Sequence, residues 1–310
     1  MKLGAPVFAV ALLLVPLIPS PYYVNVASQI LIAAVFASSL NLLVGYAGLT
    51  SLGHAAYLGV AAYAVAWLTT LGGLGHLAAA LVALAVTTAT AACFGVLALR
   101  GTGLAFLMIT LALGQILWGV AYRWVSLTGG DNGITGLTRP RPFGFDLTSP
   151  GAFYYFTLAI AAPTVAAIAL YVSSPLGAAV QGMRDQPRRM SALGHNVWMV
   201  RWLTFVFAGT GAGVAGILFV YYNQFIGPQT LNLTNSAEVL LMVISGGAGT
   251  VLGPIIGAAT VVILKNVVSA YITRWVMLLG AVFVLIVVFM PDGLGPGLHR
   301  LWHTRSRSAS

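Results

Sequence analysis

Long apolar runs, divided by short breaks rich in glycine and proline, dominate the chain. They fall near residues 5–19, 26–44, 52–71, 77–99, 103–122, 152–172, 202–222, 237–247, 251–268 and 275–290. Most approach the ~20 residues that carry a helix across a bilayer core. Lipid offers no partners to a bare backbone, so runs of this kind are expected to be helices. The period-2 alternation of a membrane barrel is absent. The pattern predicts an all-α, polytopic transmembrane helical bundle of about 8 to 10 spans. The first run is short. It follows Lys2, ends at Pro19-Ser20-Pro21 and has no small-x-small cleavage pattern, so it reads as an uncleaved first helix. The runs 237–247 and 251–268 are separated by little more than Gly246 to Thr250. They read as two short helices, a re-entrant hairpin or one broken helix.

Two hydrophilic stretches interrupt the pattern. Residues 123–151 contain Arg123, Asp131, Arg139, Arg141 and Asp146, and residues 173–201 contain Arg184, Asp185, Arg188, Arg189 and Arg201. Placing the second stretch in the cytoplasm puts nine basic residues inside: Lys2, Arg100, Arg184, Arg188, Arg189, Arg201, Arg300, Arg305 and Arg307. Five fall outside: Arg123, Arg139, Arg141, Lys265 and Arg274. That bias follows the positive-inside rule. It requires 237–268 to cross an even number of times or fold back, and it puts both termini in the cytoplasm. The expected organisation is a single transmembrane domain over 1–298 with a basic cytoplasmic tail over 299–310. The loop at 123–151 is external and the loop at 173–201 cytoplasmic.

Composition strengthens the membrane reading. The chain is 59% hydrophobic and only 6% charged, against roughly 25% charged in soluble domains. A net charge of +9 does not signal nucleic acid, because the basic residues are scattered between spans instead of forming one face. The single cysteine, Cys93, excludes an intrachain disulfide and reads as a packing residue.

Catalytic chemistry is missing. The only lysines, Lys2 and Lys265, fit no phosphate loop. His299 and His303 lie in the basic tail without a metal-site pattern. No paired carboxylates appear. The chain is therefore expected to be neither an enzyme nor a metalloprotein. Glu238 is the one acid deep enough for ion coupling, and Asn235-x-x-Glu238 reads instead as a helix-start capping box.

Four segments carry the functional signal. In the first, Gly45, Gly48, Ser51, Gly53 and His54 punctuate an apolar region. Helix breaks are tolerated in membranes where freed backbone faces protein or a watery cavity. The second runs from Arg100-Gly101 to Gln115, and the third is Thr128-Gly129-Gly130-Asp131-Asn132-Gly133. In the fourth, Ser236 to Met242 leads into Gly246, Gly247, Gly249 and Gly253-Pro254. A further loop reads Arg184-Asp185-Gln186-Pro187-Arg188-Arg189-Met190-Ser191-Ala192-Leu193-Gly194-His195-Asn196. Pro187 suits a helix's first turn and Gly194 a left-handed end, so 186–193 predicts a helix of roughly 12 Å.

Together these segments resemble the LivM-type permeases of branched-chain amino acid ABC importers, over roughly residues 25 to 290 of this chain. The resemblance implies a type II ABC importer-like permease moving branched-chain amino acids, or a related small polar solute such as urea or short amides, across the inner membrane. It implies as partners a second homologous permease, two ABC ATPase subunits, a periplasmic or lipid-anchored substrate-binding protein and membrane lipid. ATP and Mg would be used by the ATPases, with no cofactor on this chain. It places ATPase docking at Arg184, Asp185, Arg188, Arg189, Ala192, Leu193, Gly194 and Asn196. The translocation path is expected along Gly45, Gly48, Ser51, Gly53, His54, Gly246, Gly247, Gly249 and Gly253. Pro187 and the Arg188-Arg189 pair depart from the family's usual pattern. The competing reading is a self-sufficient ion-coupled secondary transporter.

Overall fold

The computed structural model describes residues 12–17, 20–141 and 145–271, with a few isolated positions beyond. The spans expected at 5–19 and 275–290 lie largely outside the described residues, and the tail at 299–310 lies wholly outside them.

Eight helices of 14 residues or more make up the described bundle. They are α1 (Pro21–Asn41), α2 (His54–Thr70), α3 (His76–Ala98), α4 (Leu104–Arg123), α5 (Pro150–Ser173), α8 (Val197–Asn223), α9 (Leu233–Gly246) and α10 (Gly253–Tyr271). Two shorter helices, α6 (Pro175–Asp185) and α7 (Pro187–Ala192), fill the second hydrophilic stretch. Several helices begin earlier than hydropathy suggests, because caps rather than apolar residues set their starts. Pro21 opens α1. Ser149 Oγ accepts from Ala152 N ahead of Pro150. Asn196 Oδ1 accepts from Met199 N at 3.0 Å and starts α8 five residues before the expected run.

Burial ranks the helices. Of the apolar stretches, 67% of the α1 segment and 61% of α8 are buried, against 22% for α3 and α4 and 17% for α5. Thus α1 and α8 form the centre, while α3, α4 and α5 stand around it. Leu77, Leu104, Met108 and Leu170 on those outer helices are 69–80% exposed. In water such a surface would invite aggregation; against lipid it costs nothing. Cys93 also lies exposed on α3. It is not the buried packing residue expected.

The two hydrophilic stretches lie at opposite ends of the bundle, joined by the 24 residues of α5, roughly 36 Å of helix. At one end Ile134 and Ile226 exchange two backbone hydrogen bonds at 2.9 and 3.1 Å, and Arg139 donates to the Leu147 and Thr148 carbonyls. At the other end Arg201 donates to the Met183 carbonyl at 3.3 Å.

The segment 237–268 is a hairpin of two helices. Gly246 packs on Gly253, Met242 on Gly257, and Glu238 on Lys265, in antiparallel register. The capping box expected at Asn235 and Glu238 does not form. The helix starts one turn earlier, after Asn232, and the Glu238 carboxylate turns to Lys265, an opposite charge that outbids a backbone amide.

Candidate translocation site and coupling loop

The first glycine segment ends α1 in a π-turn, Leu42–Tyr46. Ala47 N reaches back to the Leu42 carbonyl and Leu49 N to that of Leu43, and Gly48 takes φ +68°. The chain then runs non-helically to Gly53 and starts α2 at His54. A π-turn leaves carbonyls without their usual i+4 partner. One of them, Gly45 O, accepts from the Arg184 guanidinium.

The same break holds the hairpin tip. Asn41 Oδ1 accepts from Gly249 N at 2.9 Å, and Asn41 Nδ2 donates to Thr250 O at 2.9 Å. A Cβ at Gly45 would lie 2.2 Å from Gly249 N, so the two backbones meet only because Gly45 has no side chain. The two expected path segments, Gly45–Gly53 and Gly246–Gly253, thereby touch at Gly45 and Gly249. The other named positions lie nearby. Gly53 abuts the Thr110 carbonyl. Ser51 is buried, and its hydroxyl accepts from Gly53 N. His54 is fully buried, hydrogen-bonded through Nε2 to Ser39 Oγ at 2.9 Å and stacked 5.5 Å from Phe36.

Between α1, α2, α8, α9 and α10 lies a cavity of about 390 Å³. Its walls are single helical faces: Gln29, Ile32, Ala33 and Phe36 on α1, and Asn235, Glu238, Val239 and Met242 on α9, both at i, i+3, i+4, i+7 spacing. Asn223 and Thr230 lie at the end shared with the 123–151 loop. Lys265 Nζ meets both Glu238 oxygens, at 3.1 and 3.2 Å. Gln29 links Tyr222 to Asn266 through hydrogen bonds of 2.9 and 3.1 Å. These lining residues were not among the expected path positions. A signal was available: one acid and one lysine in adjacent apolar runs, where ionisable side chains mark pathways.

The opposite end carries the loop helix. Pro187 occupies the first turn of α7, and Gly194 takes φ +87° to end it, with His195 N donating to the Met190 carbonyl. The expected helix is therefore present. Met190 packs on Gly182 of α6. Arg184, Asp185, Arg188, Arg189, Ala192, Leu193 and Gly194 are all exposed. Leu193 is an apolar side chain 70% exposed. Asn196 is occupied as the α8 cap.

In the 123–151 loop, Gly129, Gly130 and Gly133 adopt left-handed φ. Arg139 lies 4.5 Å over the Phe153 ring, and burial lowers its guanidinium pKa while the nearby Tyr222 opposes that. Thr148, through hydroxyl and amide, holds the Asp146 carboxyl below the ordinary range. Among the described residues no three His, Cys, Asp or Glu side chains cluster as metal ligands.

A helical bundle with an apolar girdle, an ion pair in a cavity between its central helices and an exposed loop helix at one end has the build of a polytopic membrane protein. The sequence profile described as the branched-chain amino acid transport system permease component matches residues 22–288, and the chain belongs to that family. It is 28% identical to the high-affinity branched-chain amino acid transport system permease protein LivM of Salmonella typhimurium, over 93% of this chain and 74% of that protein. The LivM protein of Escherichia coli K12 matches with the same identity and coverage. No solved structure gives a significant match. As a permease component the chain is not itself catalytic.

Proposed function

We propose that this chain is one of two related permeases in an ATP-driven importer of branched-chain amino acids or a closely related small solute. The end carrying α6 and α7 faces the cytoplasm, both termini lie there, and the 123–151 end receives substrate from a periplasmic or lipid-anchored binding protein. Two ATPase subunits, which alone use ATP and Mg, dock on α7 and its flanks. Lipid covers α3, α4 and α5.

One observation carries the reading. The exposed α7 packs on α6 through Met190, and Arg184 at the end of α6 reaches Gly45, where the hairpin tip is held. A push on α7 would thus be delivered to the clasp between the end of α1 and the hairpin tip, and α1 and α9 run on from that clasp to wall the cavity. Transport follows as a shift between two packed states, favoured in turn by substrate and by the ATPases.

The test is the loop. Gly194→Pro removes a left-handed residue that proline cannot mimic, and Arg188→Glu with Arg189→Glu reverses the exposed charge. Both variants are expected to insert and fold normally. Each should reduce ATPase co-purification and leucine uptake about tenfold or more, the proline by distorting the end of α7 and the charge reversal by removing two exposed cations from the docking face, a loss of about 1.4 kcal/mol or more of docking energy. Unchanged assembly and uptake in both would refute docking. The Glu238–Lys265 pair in the cavity favours one rival, ion-coupled transport by this chain alone. Leucine uptake into liposomes holding only this chain, driven by a proton or sodium gradient, would establish that rival.

A further inference from the structure

The Glu238–Lys265 pair stands out because structure alone gives little reason to keep it. Ion pairs drawn even partly out of water rarely outperform well-packed apolar residues of similar size, and charge within a membrane span is costly. The pair lies where the two legs of the hairpin line the cavity, with Glu238 at 14% side-chain exposure and Lys265 at 42%. One helical turn deeper on α9, Met242 lines the same cavity, joined by Ile32 and Phe36 on α1 and Leu58 on α2. Charges therefore occupy the outer part of the cavity and hydrocarbon the inner part. At about 390 Å³ it falls within the usual range of small-molecule sites.

We propose that this pair is an exchange site for the head group of a free aliphatic α-amino acid, an inference that rests on the importer reading above. The substrate ammonium takes Glu238, its carboxylate takes Lys265, and the aliphatic side chain points down toward Phe36 and Met242. Before substrate arrives, the two residues neutralise each other. When it binds, two new charge pairs replace one, so no uncompensated charge appears at any stage. A molecule carrying only one of the two charges can form only one of the two new pairs, so it gives back less than it displaces and is rejected.

The experiment uses the complete importer in proteoliposomes. Cys93→Ser removes this chain's own thiol, and Asn223→Cys places a reporter thiol at the exposed cavity mouth. Its labelling by a membrane-impermeant maleimide is timed with L-leucine, 4-methylpentanoate or 3-methylbutylamine, titrated through the millimolar range. Labelling is read on this chain alone after the subunits are separated. Leucine is expected to slow labelling several-fold, and neither single-charge analogue should do so. The Glu238→Leu/Lys265→Leu double variant removes both charges together and should assemble normally, yet leucine should no longer protect. The proposal is overturned if protection persists in that variant, or if leucine never protects although the same vesicles import it. Vesicles that import no branched-chain amino acid would instead refute the importer reading, and the proposal with it.

Discussion

Replacing Gly257 by alanine is expected to break the α9–α10 hairpin. The added methyl would lie 1.9 Å from the Met242 carbonyl oxygen and 2.9 Å from Gly246 N. Both obstacles are helix backbone, so no side chain can rotate away. Overpacking a core usually costs about 1–3 kcal/mol, and a backbone-to-backbone contact leaves less room to relax than that average assumes. Thermal unfolding in detergent should show Tm reduced by roughly 5 °C or more, with less folded protein recovered. Gly119→Ala supplies the control. Gly119 lies within α4 with no atom near its would-be Cβ, so alanine there should be neutral or stabilising by up to ~1 kcal/mol. Equal stability of the two variants would show that the close crossing is unimportant.

Asn41→Leu is expected to release the hairpin tip. Asn41 is 2% exposed and makes both of its tip contacts from one side chain. Leucine matches its bulk but leaves Gly249 N–H and Thr250 C=O without those partners. A fully buried unsatisfied group costs about 1–3 kcal/mol, and these two are partly buried. The combined loss therefore corresponds to a shift of roughly tenfold to a hundredfold in the equilibrium between held and free tip. Hydrogen exchange over Gly247–Leu252 should accelerate accordingly, while exchange in the middle of α8 stays unchanged. On the coupling route proposed above, import should fall as well. Arg184→Met, which removes only the guanidinium contact to Gly45, should give a smaller acceleration. An unchanged exchange rate in Asn41→Leu would mean the tip is held by packing alone.

Much of the architecture was legible from hydropathy because lipid demands it. The expected runs at 26–44, 77–99, 103–122 and 152–172 reappear within a few residues as α1, α3, α4 and α5. The loop helix α7 was legible for a local reason: Pro187 and Gly194 start and stop a helix by their own backbone chemistry. The reading of Glu238 was wrong because a capping box is a local pattern, and a lysine 27 positions away competed for the carboxylate. The glycine segments were recognisable as breaks, but not as contacts. Nothing local to Gly45 states that it meets Gly249 across 204 positions.

The sequence by itself determined a polytopic helical membrane protein, its two hydrophilic ends and its break points. These follow from hydrogen-bond satisfaction in lipid and from the backbone limits of glycine and proline, which act over a few residues. Only the tertiary structure decided that 237–268 is a hairpin, that Asn41 clasps its tip, and that Glu238 and Lys265 face one another in a cavity. Such pairings depend on which helices pack together. Between membrane helices that choice is made by shape and by a few polar contacts, which hydropathy does not record.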